Sequence, residues 1–282
     1  MFLSRLLRGY KESDAGVKHQ KSLPIIVYEY MWENKSTNLS TAIGQLTNGA
    51  LFYGMRSCEY SKVKGKRKTK LLLIKNFTFY LNKKKITITR SRAHLLRMAT
   101  SVVVEFIDQK NGDKYDKVTM HKSNRKLGPV KAWAETIIRI LSYPDTTLDT
   151  PINTVRIGKK NIQITSAQIL VHIRSTVAMI GVKTLGFTSD EVGTHSIRSS
   201  FAMLLYLAKV PTTTIMILGR WLSDSFLLYI RKQVLEFSAG LSTLMLQRDF
   251  YTLPEVEEVV QDPRSEFNSW ESLILPDGEA VV

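Results

Sequence analysis

The spacing of apolar residues divides the chain into a helical segment, a β-rich segment and a second helical segment. Residues 25–60 carry apolar side chains at helical spacing, and Thr37-Asn38 or Ser40-Thr41 predicts a helix cap within them. Beyond residue 62 the β-branched and aromatic runs predict strands at 71–80, 85–89, 102–108 and 117–120. The Asn111-Gly112 pair is a good hairpin turn, and residues 92–98 interrupt the strands.

Helical spacing returns after Gly128-Pro129. It predicts helices at 130–141 and 166–180, with a loop between them that holds Pro144 and Pro151. Further helices are predicted from Ser189, from Thr194 to Pro211, and from a cap at Thr212 or Thr213 to Gly219. Ser223 caps a last helix that runs through Tyr229 towards Phe237. The predicted fold class is therefore mixed, mainly α with a small antiparallel β-sheet.

The charge of the chain is strongly positive and unevenly placed. The formal net charge of the 282 residues is +15. Residues 56–97 hold fourteen Lys and Arg against one acid, whereas residues 254–282 hold eight acids against one Arg. Such an excess favours a polyanionic partner, because each phosphate neutralised by Lys or Arg releases counterions. The basic residues predicted to contact nucleic acid are Lys62, Lys64, Lys66, Arg67, Lys68, Lys70, Lys83, Lys84 and Lys85.

Cysteine content and hydropathy restrict the class of protein. Cys58 is the only cysteine, which excludes a disulfide framework or a Cys-rich metal site and fits a reducing compartment. Residues 1–14 lack the apolar centre of a signal peptide, and no apolar run approaches the ~20 residues of a membrane span. We therefore expect a soluble protein that is not secreted.

Four residues between positions 193 and 231 could act together on a phosphate. His195 and Arg198 are three positions apart, so on a helix they share a face and offer a proton-transfer group beside fixed positive charge. Trp221 offers an indole N–H donor, and Tyr229 a hydroxyl that becomes a nucleophile once activated. Taken singly, each residue is typical of an ordinary basic helix or of a core, so only their joint order carries meaning.

Arg56 is a fifth candidate, far upstream. It lies among Phe52, Met55 and Cys58, where an unpaired guanidinium is costly to bury, so it either pairs or binds an anion. Glu59, three residues on, could orient it. The structural and the functional interpretation of Arg56 are compatible.

In this order the residues resemble the catalytic pattern of the tyrosine recombinase (phage integrase) family, Arg…Lys…His-x-x-Arg…His or Trp…Tyr. The segment GMRSCEY is similar to the first-arginine motif, THSIRSSFAMLLYLAKV to the His-x-x-Arg helix, LGRW to the Leu-Gly-His/Trp motif and LLYIRKQ to the nucleophile helix. The 23 residues from Arg198 to Trp221 and the 8 from Trp221 to Tyr229 are close to family spacing. Ser199 departs from the second His of many members, and GRW…SDSF…YIR is similar to eukaryotic mobile-element recombinases of the crypton kind.

The resemblance implies the catalytic-domain fold of these DNA breaking-rejoining enzymes and a role for each residue. Tyr229 would attack a DNA phosphate to form a 3′-phosphotyrosine, and Arg56 and Arg198 would bind the non-bridging oxygens. His195 would handle protons, and Trp221 would hydrogen-bond the phosphate. The family's general acid is a lysine on a β-hairpin; Lys110 suits that position best, with Lys114 and Lys117 as alternatives. No metal, ATP or other cofactor is expected.

The resemblance also implies an organisation and partners. Residues 1–24 would end an interdomain connector, residues 25–253 would form the catalytic domain and residues 254–282 an acidic tail. The family usually has an N-terminal helical domain that closes round the DNA, and only about two dozen residues precede the catalytic part here. Unaided DNA binding is therefore expected to be weak. The implied partners are double-stranded DNA and further copies of the chain in a tetrameric synapse, with no membrane or small-molecule substrate, in the nucleus of a eukaryote and otherwise in the cytoplasm.

Three other functions share parts of this pattern. A truncated or domesticated recombinase domain would bind DNA without recombining it, which fits the short segment ahead of the catalytic part. A type IB topoisomerase uses the same chemistry, but Trp221 and the crypton-like wording speak against it. The third alternative, a basic helical DNA-binding regulator, is set aside because it would require the five spaced motifs to occur together by coincidence.

Overall fold

The computed structural model describes residues 20–65, 69–108 and 114–221 of the chain. These residues include eight α-helices and six strands. The helices are α1 (Ile25–Glu33), α2 (Asn38–Phe52), α3 (Ser57–Tyr60), α4 (Pro129–Leu141), α5 (Ser166–Ile180), α6 (Val182–Leu185), α7 (Ser196–Leu207) and α8 (Thr212–Gly219). The strands are β1 (Phe77–Leu81), β2 (Lys84–Ile86), β3 (Ser101–Asp108), β4 (Lys114–His121), β5 (Thr154–Ile157) and β6 (Lys160–Gln163). The predicted fold class, mainly α with a small antiparallel sheet, is confirmed.

The helical segment predicted at 25–60 consists of three helices, and its predicted cap is confirmed. The chain leaves helical geometry after Glu33, and α2 starts behind Thr37. The Thr37 hydroxyl accepts a hydrogen bond from the Ser40 backbone N–H at 3.0 Å, and the Ser40 hydroxyl accepts one from the Thr37 N–H at 2.9 Å. This capping box satisfies backbone donors that the first turn of a helix leaves unpaired.

The β-rich segment forms a four-stranded antiparallel sheet in the order β2-β1-β3-β4. Val102, Val104 and Phe106 alternate with less buried residues along β3, so one face of the sheet lies on the core. Strands β3 and β4 pair from Ser101–His121 to Asp108–Lys114, on either side of the predicted turn, which lies outside the described residues. A 3₁₀ helix at Ala93–Met98 is the predicted interruption.

Three predictions for this region and beyond are wrong in detail. Residues 71–76 are not strand: they include a 3₁₀ turn, Ile74–Asn76, in which the N–H groups of Ile74 and Lys75 donate to the carbonyls of Thr150 and Leu148. The predicted loop between α4 and α5 contains the hairpin β5–β6. Helix α7 ends at Leu207 rather than at Pro211, and Pro211 itself is the N-cap residue of α8. The helix predicted from Ser223 lies outside the described residues.

Helix α2 is the centre of the core. Its residues from Ala42 to Leu51 are all buried, and α1, α4, α7 and β5 pack around it. Helix α4 approaches most closely at Gly49, where a Cβ atom would lie 2.5 Å from the Trp133 ring. Glycine therefore lets the largest buried side chain of the core lie flat against the α2 backbone. None of the described helices is both long and apolar enough to cross a membrane.

We expect Gly49→Ala to lower the free energy of unfolding by about 1–3 kcal/mol, because its methyl group would overlap the Trp133 ring. At an unconstrained helical position the same change adds up to about 1 kcal/mol of stability. Urea denaturation measures the sign directly. A Gly49→Ala variant that is more stable than the wild type would contradict the close approach, and in a Trp133→Phe background Gly49→Ala should cost less stability than it does in the wild type.

Candidate functional site

Arg198 is anchored by two backbone carbonyls from distant parts of the chain. Its guanidinium, in the first turn of α7 and 3% exposed, donates through Nη1 to the Gly54 carbonyl and through Nη2 to the Gly219 carbonyl at 2.6 Å. Gly54 has a φ of +51°, and a Cβ atom there would lie 2.6 Å from the Phe201 ring, so the position requires glycine. The end of α2, the start of α7 and the end of α8 thus meet at one guanidinium.

Arg56 lies beside this anchor and forms the predicted ion pair with Glu59. It is the N-cap residue of α3, and its backbone N–H donates to Glu59 Oε2 at 2.8 Å. Its Nη1 donates to Glu59 Oε1 at 3.2 Å. The Arg56 side chain remains 17% exposed, whereas that of Glu59 is 1% exposed. Glu59 therefore orients the Arg56 guanidinium from the buried side and leaves part of the Arg56 side chain exposed to solvent.

Arg220 is a third arginine of the cluster, and sequence reasoning missed it. Its Nη2 donates to Glu59 Oε2 at 2.8 Å, and both side chains are almost wholly buried. Its Nη1 donates to the Tyr53 carbonyl at 3.2 Å, and its guanidinium carbon lies 3.5 Å from the centre of the Phe106 ring. Burial lowers the pKa of Arg220, and the charge of Glu59 opposes that shift.

The backbone conformation explains why Arg220 points inward. It follows Gly219, the last residue of α8, and has φ +57° and ψ +48°, the left-handed geometry that often terminates helices. Its N–H donates to the Ile217 carbonyl at 3.0 Å and the Trp221 N–H to the Met216 carbonyl at 3.0 Å. Glycine usually occupies this position, so the only signal in the sequence was an arginine placed between a helix-ending glycine and a tryptophan.

Trp221 contacts the anchored arginine, and His195 precedes it by three residues at the start of α7. The guanidinium carbon of Arg198 lies 4.0 Å from the centre of the Trp221 ring, and the Phe201 ring stacks on Trp221 at 6.1 Å with an interplanar angle of 30°. A cation over an aromatic face is attracted by the ring quadrupole. His195 is exposed at the N-cap position of α7, and its backbone N–H donates to Gln20 Oε1 at 3.0 Å. Arg198 is buried one turn further along the same helix.

The predicted nucleophile and general acid fall outside the described residues, which include neither Tyr229 nor Lys110. Strand β3, which ends two residues before Lys110 in the sequence, contacts the cluster through Phe106, whose ring lies against Arg220. Lys114 lies in β4, opposite Asp108. Lys117 is opposite Glu105 and 3.5 Å from its carboxylate, on the sheet face away from Phe106.

The basic residues predicted to bind nucleic acid occupy two separate places. Lys62, Lys64 and Lys70 are exposed in the segment that follows α3, and Lys70 pairs with Asp108 at 2.9 Å. Lys83, Lys84 and Lys85 are exposed around the β1–β2 turn, at the opposite end of the sheet from Asp108. Lys66, Arg67 and Lys68 lie outside the described residues.

The arrangement is suited to holding an anion by fixed positive charge. Two of the three guanidiniums, those of Arg56 and Arg220, share the Glu59 carboxylate, and all three donate to backbone carbonyl groups. In the described parts of the chain, no three His, Cys, Asp or Glu side chains lie together as metal ligands would. The chemistry available here is therefore electrostatic stabilisation of a phosphate-like group, with His195 at its edge.

Comparisons with known proteins find similarity only to solved structures, at low identity. No protein-family model matches the chain, and no curated protein is similar to it. The XerH site-specific recombinase bound to palindromic difH substrate, in a post-cleavage complex, is 19% identical over 82% of this chain and 56% of its own, with a TM-score of 0.49. XerA recombinase is 15% identical over 81% and 66%, with a TM-score of 0.46. The Tn1549 transposon integrase, in complex with circular intermediate DNA, is 10% identical over 77% and 62%, with a TM-score of 0.43. The chain thus spans between about half and two thirds of the length of these proteins.

We expect Glu59→Gln to lower the free energy of unfolding by about 3 kcal/mol, because it leaves Arg220 as a buried charge without a carboxylate. Glu105→Gln is the matched control. It removes the carboxylate of a surface pair with Lys117, which is worth at most about 1 kcal/mol. Urea denaturation measures the free energy of unfolding of both variants. If both lose the same amount, the buried pair contributes no more to stability than the surface pair.

Proposed function

We propose that this protein is a DNA strand transferase of the tyrosine recombinase type, of the crypton-like kind, that acts in DNA integration or recombination. The observation that carries the proposal is the convergence of Arg56 and Arg198. These residues are 142 positions apart in the sequence, yet both guanidiniums bond to carbonyls of the same turn at the end of α8. Two fixed positive charges beside His195 and Trp221 provide what the non-bridging oxygens of a DNA phosphate require.

The proposed reaction transfers a phosphodiester from one oxygen to another. The Tyr229 oxygen attacks the phosphorus as its proton leaves to His195, and the bond from phosphorus to the 5′-oxygen breaks. Lys110 donates a proton to that leaving oxygen, which departs as a 5′-hydroxyl. Arg56 and Arg198 stabilise the charge on the non-bridging oxygens, and Trp221 donates its indole N–H to one of them. The 3′-phosphotyrosine keeps the energy of the original ester, so the reverse step rejoins DNA without ATP.

The organisation follows the same proposal. Residues 25–253 form the catalytic domain, residues 1–24 the end of a connector and residues 254–282 an acidic tail. The exposed Lys62, Lys64 and Lys70 follow α3 directly and extend the positive surface from Arg56 along the DNA backbone. Several copies of the chain assemble on double-stranded DNA, as a tetrameric synapse.

We expect Tyr229→Phe to abolish the covalent protein–DNA adduct on a nicked suicide substrate, because phenylalanine has no oxygen to attack the phosphorus. Denaturing gel electrophoresis of radiolabelled DNA measures the adduct. Tyr206→Phe is the matched control: Tyr206 is a partly exposed tyrosine of α7, and its loss should leave the adduct unchanged.

Different outcomes of the adduct assay and of related DNA assays would favour the alternative functions. Adduct that persists in Tyr229→Phe would refute the nucleophile assignment. DNA binding by the wild type without adduct, even after an N-terminal clamp domain is supplied, would indicate a recombinase domain that only binds DNA. Relaxation of a supercoiled plasmid without partner sites would indicate a type IB topoisomerase.

A further inference from the structure

We propose that Arg220 is a positioning residue for Arg56: it draws the charge of Glu59 away from Arg56 and so keeps Arg56 able to hold an anion. This inference rests on the proposed function, in which Arg56 binds a DNA phosphate. Arg220 itself faces the protein interior, where its guanidinium contacts a carboxylate, a carbonyl and an aromatic ring. It therefore acts on the phosphate only through Arg56.

Arg220 contacts the environment of Arg56 in two ways. Its backbone carbonyl accepts a hydrogen bond from Arg56 Nη2 at 3.3 Å. Its side chain bonds to Glu59 Oε2, the oxygen that also accepts the Arg56 backbone N–H. Arg220 thus helps to position the Arg56 guanidinium and competes with it for hydrogen bonds to the Glu59 carboxylate.

The balance of charge gives this arrangement its consequence. Glu59 contributes one negative charge between two guanidiniums, and the charge of Asp116 acts on Arg220 in addition. Arg220 and Glu59 are buried at 2% and 1% exposure, and Arg56 is the member that reaches solvent, at 17%. Arg56 is therefore the guanidinium of the pair that an anion from solvent can reach. Without Arg220, Glu59 would pair with Arg56 alone and neutralise it.

The shape of arginine is needed for this role. The planar fork of Arg220 reaches Glu59 with Nη2 and the Tyr53 carbonyl with Nη1, while its flat face lies on Phe106. Lysine carries the same charge but cannot make these contacts together. Arg220→Lys should therefore recover only a small part of the function that Arg220→Met loses.

The first experiment measures the rate of adduct formation by the full chain at saturating nicked DNA. We expect Arg220→Met to lower this rate about 100-fold, as misplacing a catalytic group does, with DNA affinity changed less than about threefold. Arg139→Met is the matched control. Arg139 is also a buried arginine whose pKa burial lowers, but its partners are Gln45, Tyr143 and the Thr154 carbonyl. At a temperature where both variants are folded by circular dichroism, Arg139→Met should keep the wild-type rate; equal losses in both would overturn the proposal.

The second experiment needs no DNA cleavage. Inorganic phosphate is titrated into each variant, and the indole N–H resonance of Trp221 is followed by NMR. Arg220→Met should weaken phosphate binding by about tenfold, the loss of about one charge-assisted hydrogen bond. The double variant Arg220→Met/Glu59→Gln, which removes both buried charges, should recover most of that affinity because residue 59 no longer carries the charge that neutralises Arg56.

The two experiments separate the inference from the proposed function. If the wild type forms no adduct, the proposed function fails, and the phosphate titration still decides the role of Arg220. A double variant that binds phosphate as weakly as Arg220→Met would overturn the inference. So would a wild-type protein whose Trp221 resonance does not respond to phosphate, because Arg56 would then hold no anion.

Discussion

A buried carboxylate between two guanidiniums is the interaction on which this site depends. Glu59 has almost no contact with water, so its charge is tolerable only because Arg56 and Arg220 both donate to it. The same holds in reverse for Arg220, whose buried guanidinium donates to Glu59 and is also stabilised in its charged form by Asp116. Because α3 carries the carboxylate and the end of α8 carries Arg220, neither element can shift without exposing a buried charge to an apolar surrounding.

The carbonyl groups that hold the arginines extend this constraint to the whole site. The turn at the end of α8 presents the Gly219 carbonyl to Arg198 and the Arg220 carbonyl to Arg56. On the opposite side, the Gly54 carbonyl receives Arg198 and the Tyr53 carbonyl receives Arg220. The arginines are therefore placed by rigid backbone rather than by flexible side chains. Electrostatic stabilisation of this kind is effective because the charges do not have to be reorganised when the reaction takes place.

Features that depend on neighbours in sequence were predictable, and those that depend on distant neighbours were not. The Thr37–Ser40 cap and the alternation along β3 follow from local spacing, as does the ion pair of Arg56 with Glu59 three residues on. Residues 71–76 have the apolar composition of a strand, but their backbone groups form hydrogen bonds with the 148–150 segment instead of with a neighbouring strand of the sheet. Strands β5 and β6 are four residues each and contain charged side chains, so any strand signal in their sequence is short and interrupted.

Arg220 shows why the missed part of the site is also its most informative part. In the sequence it is one of 40 basic residues, and its burial depends on Glu59, 161 positions earlier. Burial alone does not assign a function, because burial also lowers the pKa of Arg139. The difference lies in the partners. Arg139 bonds to neutral acceptors and links α4 to α2 and β5, whereas Arg220 shares a carboxylate with an arginine that reaches solvent. A buried charged residue affects a residue at the surface when both pair with the same oppositely charged group. In the described part of this chain, Arg220 and Arg56 both pair with Glu59 and meet this condition.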